Sequence, residues 1–143
     1  MKPKLFSIGL ISFFVSTASL AHLKNSEPSL ANTNISQTCK DFRIKRNQLS
    51  AFCIDLLGDF VQTKTVMHGL ENINGQLVKS DTDTEANFHE SCKKLSVDAY
   101  GFLSASCKTY RGSWIRTSID LATFLINANG SLVDKRFPTH WGS

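Results

Sequence analysis

The chain has 143 residues, 41% of them hydrophobic, and carries 16 Lys and Arg against 12 Asp and Glu. This length suits one ordinary domain with a modest core. The small charge excess is not gathered into a basic block, which argues against a nucleic-acid partner.

The first 21 residues predict a secretory signal peptide. Lys2 and Lys4 precede an apolar run from Leu5 to Val15, and the segment ends at Ala21, after which we expect cleavage. The run is shorter than the ~20 residues that span a bilayer, so we expect no membrane insertion. These features predict a secreted, extracellular protein.

Residues 22–34 are polar and aperiodic, and we expect a flexible leader there. Four cysteines follow, Cys39, Cys53, Cys92 and Cys107. An even number in an oxidising compartment predicts two disulfides, with three possible pairings. Neither the cysteine spacing nor the four histidines match a common zinc motif, so we expect no metal and no cofactor.

The sequence is duplicated at an offset of 53 to 55 residues. Cys39 aligns with Cys92, and the Asn-x-Asn-Gly stretch that begins at Asn72 aligns with the one that begins at Asn127. Two copies are too few for a solenoid, so we expect a closed, pseudo-symmetric pair. The predicted divisions are a domain over 35–137, with repeat one at 35–80 and repeat two at 87–134, and a tail over 138–143.

Each repeat predicts short strands joined by turns. Leu, Ala and Cys alternate with Ser and Phe along 49–53, which is the period of a half-buried strand. The matching segment 103–107 alternates in the same way. Runs rich in β-branched residues follow at 61–66 and 115–119 and predict a second strand in each repeat.

Asn-Gly pairs predict a hairpin in each repeat. Asn74-Gly75 and Asn129-Gly130 supply two residues tolerant of positive φ, which a type I′ turn requires. These pairs therefore have a purely structural interpretation as turn residues as well as a functional one. We expect one further helical turn after Asp120, whose side chain suits an N-cap.

The disulfide pairing depends on how the repeats fold. If they fold alike, Cys39 pairs with Cys53, and Cys92 pairs with Cys107. Each bridge then closes a loop of about 15 residues, which stabilises a fold by ~3 kcal/mol in the chain-entropy model.

Together the motifs resemble those of the cyanovirin-N homology family of lectins. They are Ile-Ser-Gln-Thr-Cys ending at Cys39, Phe-His-Glu-Ser-Cys ending at Cys92, Leu-Ser-Ala-x-Cys in both repeats, Thr-Ser-Ile-Asp-Leu over 117–121, and the two Asn-Gly turns. The likeness covers about residues 34–133. It implies an all-β, two-lobed fold with two intra-repeat disulfides, in which triple-stranded sheets, β-hairpins and short 3-10 turns form with strands exchanged between the repeats.

The resemblance also implies a lectin that recognises mannose-type glycans or glycoproteins, without catalysis. One family pocket joins the turn of repeat one to the start and the post-cysteine segment of repeat two. The matching residues here are Glu71, Asn72, Asn74, Asn87, Glu90, Ser91, Lys108 and Thr109. Such amide, carboxylate and hydroxyl groups suit the hydroxyls of a neutral sugar. Tyr110 and Gly112 depart from the arginine and glutamine usual in the family.

The second family pocket maps onto Gln37, Thr38, Asn127 and Asn129. We expect this site to be degraded, because Ile54 and Leu56 stand at post-cysteine positions where polar groups are needed. Glycosylation sequons at Asn34 and Asn129 lie in the same region. A glycan at either position would crowd this pocket.

Two other functions stay open. The apolar Ile54 and Leu56 favour a secreted interaction or effector protein that keeps the scaffold without binding sugar. Glu71 and Glu90 admit a glycosidase, which needs two carboxylates at a defined separation, but no further motif supports catalysis.

Phe60 and Trp114 occupy equivalent positions, and we expect both in the core because aromatic residues dominate burial in small folds. The segment between the repeats, 79–86, is polar and long, which favours a monomer over strand exchange between molecules.

Overall fold

The computed structural model describes residues 33–136 of the chain. The predicted signal peptide, the leader up to residue 32 and the tail lie outside the described residues. The elements are, in chain order, α1 (Ile35–Thr38), β1 (Cys39–Lys45), β2 (Gln48–Ile54), β3 (Phe60–Val66), β4 (Leu70–Ile73), β5 (Gln76–Lys79), a 3-10 turn (Phe88–Glu90), β6 (Cys92–Val97), β7 (Phe102–Lys108), β8 (Trp114–Asp120), a 3-10 turn (Leu121–Thr123), β9 (Leu125–Ala128) and β10 (Ser131–Asp134). The predicted all-β class with short 3-10 turns is confirmed.

The two repeats exchange their hairpins. Repeat one forms the antiparallel sheet β1-β2-β3 and repeat two forms β6-β7-β8, while β4–β5 and β9–β10 are separate hairpins. Strand β10 packs against β3, and β5 packs against β8, which confirms the predicted exchange. A lone hairpin is marginally stable in water, so each needs the other repeat to cover its apolar face. We call the first sheet with β9–β10 lobe one, and the second sheet with β4–β5 lobe two.

Alternation along the central strand of each sheet builds the core. Leu49 and Ala51 of β2, and Leu103 and Ala105 of β7, are all at most 2% exposed. The residues between them point outward, as a side-chain period of two requires. Burying one leucine side chain contributes ~1.5–3 kcal/mol, so Leu49 and Leu103 each stabilise the core of their lobe.

Both disulfides lie within a repeat, as the sequence predicts. Cys39 of β1 bonds to Cys53 of β2, and Cys92 of β6 bonds to Cys107 of β7. In each case the two cysteines are directly paired across adjacent strands. The bridge therefore fixes the strand register, and a slip of one residue would turn the apolar side chains of β2 or β7 towards water.

The Asn-Gly turns have the predicted type I′ geometry. The φ angles are 49° at Asn74, 89° at Gly75, 51° at Asn129 and 88° at Gly130. Gly75 also lies against the other repeat, where a Cβ atom would come within 2.6 Å of the Ile115 side chain. A glycine is therefore required there both for its positive φ and for the close approach.

Equivalent threonines hold the exchanged hairpins. The Leu132 backbone N–H of β10 donates to Thr63 Oγ1 of β3 at 3.0 Å. The Leu77 N–H of β5 donates to Thr117 Oγ1 of β8 at 3.1 Å. Each bond satisfies an outer-edge N–H of a hairpin, and a bond of this kind contributes ~0.5–1.5 kcal/mol.

A buried ion pair joins equivalent positions of the two repeats. Lys79 Nζ lies 2.8 Å from Asp134 Oδ2, and both side chains are 9% exposed. Nζ also donates to the His68 carbonyl at 2.5 Å and lies 5.0 Å from the centroid of the Phe124 ring. Because Lys79 aligns with Asp134 in the duplication, the repeats have diverged to opposite charge at a point where identical residues would bury like charges.

The segment between the repeats is held by backbone hydrogen bonds. Gly69 N–H donates to the Thr84 carbonyl at 2.8 Å, Ser80 N–H to the Gly69 carbonyl at 2.7 Å, and Ala86 N–H to the Met67 carbonyl at 2.8 Å. The long polar connection therefore lies along 67–69. The expected monomer stays a prediction.

Short helical turns are fixed by side-chain caps. Asp120 Oδ1 accepts a bond from Ala122 N–H at 2.9 Å, as expected for the predicted N-cap. The sequence did not predict α1, which Asn34 caps by accepting a bond from Ser36 N–H at 2.9 Å. The Thr33 carbonyl also accepts a bond from β9, so the last residues of the predicted leader take part in the fold.

The prediction that Phe60 and Trp114 are core residues is wrong. They are 47% and 44% exposed, because strand alternation places them on the outward face of each sheet. A lysine lies over each ring, with Lys40 Nζ 4.0 Å from the Phe60 centroid and Lys93 Nζ 4.1 Å from the Trp114 centroid. The same cation–π contact is therefore built twice.

Replacing Lys79 by alanine should destabilise the fold by about 3–5 kcal/mol, because the Asp134 carboxylate would stay buried without its partner. Urea unfolding followed by near-ultraviolet circular dichroism measures the loss. The exchange K79D/D134K restores an opposite-charge pair and should recover part of it. Equal stability of K79A and the wild type would contradict the assigned role.

Candidate functional site

Asn72 joins the turn of repeat one to repeat two. Its Nδ2 donates to Ser91 Oγ at 2.9 Å and to the Lys108 carbonyl at 3.0 Å. Its Oδ1 accepts a bond from Gly75 N–H at 2.8 Å. Both ends of the amide are engaged within the protein, so Asn72 positions the surrounding groups.

A groove opens where that turn meets the loop between β7 and β8. Asn74 Oδ1 accepts a bond from Tyr110 N–H at 3.0 Å. Within the loop, Thr109 Oγ1 accepts a bond from Ser113 N–H at 3.1 Å. The groove has a volume of about 390 Å³ and is lined by Asn74, Thr109, Tyr110, Arg111, Ser113 and Ile115.

Sequence reasoning missed Arg111 and Ser113 as residues of this groove. The available signal was Gly112, which marks a tight turn directly after the predicted Lys108 and Thr109. The backbone bond from Thr109 N–H to the Ser113 carbonyl, 2.7 Å long, closes that turn. A turn this tight places the side chains on both sides of Gly112 in the same groove.

Glu71 and Asn87 line a separate, smaller pocket. It has a volume of about 90 Å³ and includes Thr82, Thr84 and Glu85 from the segment between the repeats. This pocket presents the carboxyl groups of Glu71 and Glu85 and the hydroxyl groups of Thr82 and Thr84.

Glu90 lies apart from both pockets. It is exposed at the end of the 3-10 turn that precedes Ser91, and it lines neither the groove nor the small pocket. The glycosidase interpretation needs Glu71 and Glu90 on one cleft. The structure does not bring Glu90 into the pocket that Glu71 lines.

The second predicted site repeats the geometry of the first turn. Asn127 Nδ2 donates to the Ile54 carbonyl at 2.9 Å, and its Oδ1 accepts a bond from Gly130 N–H at 2.7 Å. Asn129 Oδ1 accepts a bond from Leu56 N–H at 2.8 Å. Both Asn-x-Asn-Gly stretches therefore fasten a hairpin turn to the other repeat, which explains the recurrence of the motif.

Gln37 and Thr38 lie on α1. Thr38 is 7% exposed, and its Oγ1 donates to the Asn34 carbonyl at 2.7 Å. Its hydroxyl thus bonds to the backbone at the start of its own helix. Gln37 is exposed, so the pair does not present two polar groups to one pocket.

The tips of the two lobes differ in polarity at equivalent positions. Lobe two carries Tyr110 and Arg111 in its loop, whereas lobe one carries Leu56 and Leu57. Leu56 is 50% exposed and Leu57 is 86% exposed. The loop of lobe two can donate hydrogen bonds to a ligand, and the apolar loop of lobe one offers hydrocarbon surface.

Residues 33–136 offer neither a metal site nor a membrane-spanning helix. No group of three or more His, Cys, Asp and Glu side chains there is arranged to hold a metal ion. No helix among the same residues is long and apolar enough to cross a membrane.

Comparisons with known proteins agree with this architecture. A model of the CVNH domain matches residues 88–141. A crystal structure of a MoCVNH3 variant in complex with (N-GlcNAc)4 aligns with a TM-score of 0.62 and 18% identity over 73% of this chain and 99% of that chain. The CVNH protein of T. borchii aligns with a TM-score of 0.59 and 24% identity over 71% and 99%. The microvirin complex with mannobiose aligns with a TM-score of 0.55 and 25% identity over 71% and 98%.

The family match and the shared fold lead to one conclusion. The chain has the fold of the cyanovirin-N homology lectins, and the resemblance predicted from its motifs is confirmed. The CVNH model covers repeat two and the residues after it. The structural alignments extend over both lobes.

Substitution of Asn127 by alanine should destabilise the protein by ~2–4 kcal/mol, because it leaves the Ile54 carbonyl and the Gly130 N–H without their partners. Asn72→Ala should cost less, since Asn72 is only half-buried. Asn87→Ala, at an exposed side chain without a capping bond, is the matched control and should change stability by less than ~0.5 kcal/mol. Urea unfolding of the three variants tests this ranking of the stability losses. An N127A variant that is no less stable than N87A would refute it.

Proposed function

We propose that this protein is a lectin that binds mannose-type glycans through the groove of lobe two, without cleaving them. One observation carries the proposal. The turn at Asn74 of repeat one meets the loop 109–113 of repeat two in a concave site with several polar groups, which is the usual form of a small-ligand site. The ligands of similar structures support it, because microvirin is bound to mannobiose and the MoCVNH3 variant to (N-GlcNAc)4.

The groups in the groove match the chemistry of a sugar. The hydroxyls of Thr109 and Ser113 both donate and accept hydrogen bonds, and the guanidinium of Arg111 donates several. Ile115 supplies an apolar surface for the C–H face of a ring. Each hydrogen bond contributes ~0.5–1.5 kcal/mol net, so one open groove should bind a disaccharide only at about millimolar concentration.

Titration with a dimannoside tests the proposal, with amide chemical shifts as the readout. In the wild type, the amides of residues 109–113 and of Asn74 should shift. The variant R111A/S113A should weaken binding by about tenfold, since it removes two ligand-facing groups without touching the backbone bonds of the loop. The matched control is L57A/D59A, which changes the equivalent positions of lobe one and should bind as the wild type does.

A parallel titration with a GlcNAc tetramer tests mannose specificity separately from sugar binding itself. Shifts at the same amides with the tetramer but not with the dimannoside would reject mannose specificity and keep the lectin. If neither oligosaccharide shifts these amides at about millimolar concentration, the lectin proposal fails.

A second candidate function is a protein-interaction module on the same scaffold. The exposed apolar tip of lobe one favours it, because Leu57 is 86% exposed and lies beside Leu56. Contiguous exposed apolar surface, where it is large, marks a protein contact site. Blank titrations with both oligosaccharides would favour this function over the lectin.

We further propose that the protein is exported and acts outside the cell as a monomer. The basic start, the apolar run and the small residues that end at Ala21 support export, and so do the two disulfides. Expression with the native N-terminus should therefore release a protein that begins at His22. Mass spectrometry of the culture medium checks the mass, and an unprocessed chain retained in the cell would contradict the proposal.

A further inference from the structure

The outward face of sheet β1-β2-β3 carries a trough lined by basic residues. Its volume is about 280 Å³, and it is lined by Arg43, Ile44, Lys45, Gln48, Ser50, Gln62 and Lys64. Leu49 and Ala51 of β2 point into the core, so their neighbours Gln48 and Ser50 point outward. We call this surface the basic trough.

The cations of the basic trough lie on its two walls. Arg43 of β1 is paired with Ser50 of β2, which is paired with Lys64 of β3. With strands ~4.8 Å apart, the two cationic residues are ~10 Å apart across a neutral central strand. Lys45 lies two residues along β1 from Arg43, on the same wall.

These charges are not neutralised within the described part of the chain. The ion pairs of Lys79 with Asp134 and of Arg136 with Asp81 do not involve the trough. Arg43, Lys45 and Lys64 are all exposed. Strands β1 to β3 contain one acidic residue, at the bulge of β1. The trough therefore has a net positive charge that faces water.

The duplication shows that the fold does not require these cations. In lobe two, Ser96 and Ser118 occupy the positions of Arg43 and Lys64, and they flank Ser104 in the same cross-strand row. The two sheets have the same strand order and bulge position. The same sheet forms with serines at these positions, so the cations of lobe one are available for contact with a ligand.

We propose that the basic trough binds a linear anionic polysaccharide, one that carries sulfate or carboxylate groups along its chain. Cationic walls would contact the acidic groups, and the side chains of Gln48, Ser50 and Gln62 would bond to the neutral hydroxyls between them. A single-stranded nucleic acid fits less well, because no aromatic residue lines the trough to stack on bases. The site is distinct from the groove of lobe two and does not rest on the proposed mannose binding.

Binding of the full exported protein to immobilised heparin tests this proposal. The variant R43S/K64S, which copies the residues of lobe two, should lower the affinity about tenfold at roughly 50 mM salt. It should also reduce the steepness with which affinity falls as salt rises, because fewer counterions are released on binding. The control K94N/R116Q removes the same charge from lobe two and should change the affinity by less than about twofold.

Further competition and variant experiments identify the class of ligand. Polygalacturonate as a competitor shows whether carboxylates suffice or sulfates are needed, and either result agrees with the proposal. Saturating dimannoside, or the R111A/S113A variant, should leave heparin binding unchanged. The proposal is overturned if heparin does not bind, if R43S/K64S and K94N/R116Q lose affinity equally, or if a single-stranded DNA binds the trough as tightly as heparin.

Discussion

Each repeat ends in a hairpin of two four-residue strands, and neither hairpin can bury its apolar face without the sheet of the other repeat. This reciprocal exchange organises the molecule. The amides of Asn72 and Asn127 bond to the backbone carbonyls that follow the partner repeat's second cysteine. Thr63 and Thr117 accept bonds from the hairpin edges. The same interactions, made twice, close the fold.

The exchange also creates the candidate site. The groove has one wall from the turn of repeat one and one wall from the loop of repeat two, so it forms only when the repeats interlock. Residues whose side chains hold an exchanged hairpin in place, such as Asn72, are unavailable to a ligand. Tyr110 is held through its backbone N–H, which donates to Asn74 Oδ1, so its side chain and that of the neighbouring Arg111 can vary with function.

Duplication followed by divergence explains the differences between the lobes. The asparagines and threonines that hold the exchanged hairpins are the same in both repeats, whereas the residues at the tips of the lobes and on the outward faces of the sheets differ. Leu57 faces water where lobe two has Arg111, and Arg43 faces water where lobe two has Ser96. Lys79 and Asp134 differ because they meet each other. Complementary charge at that point favours the pairing of repeat one with repeat two over the pairing of two identical repeats.

The sequence by itself determined the local and duplicated features: the strands with a period of two, the type I′ turns at Asn74 and Asn129, and, through the family likeness, the disulfides and the exchange. These follow from the conformational preferences of short segments and from the alignment of one repeat with the other. Only the tertiary structure decided that the Asn127 amide donates its hydrogen bond to the Ile54 carbonyl. It also decided that Trp114 lies outside the core and that Arg111 lines the groove. Each of these depends on which residues, distant in the chain, occupy the space around a side chain, and neither periodicity nor spacing contains that information.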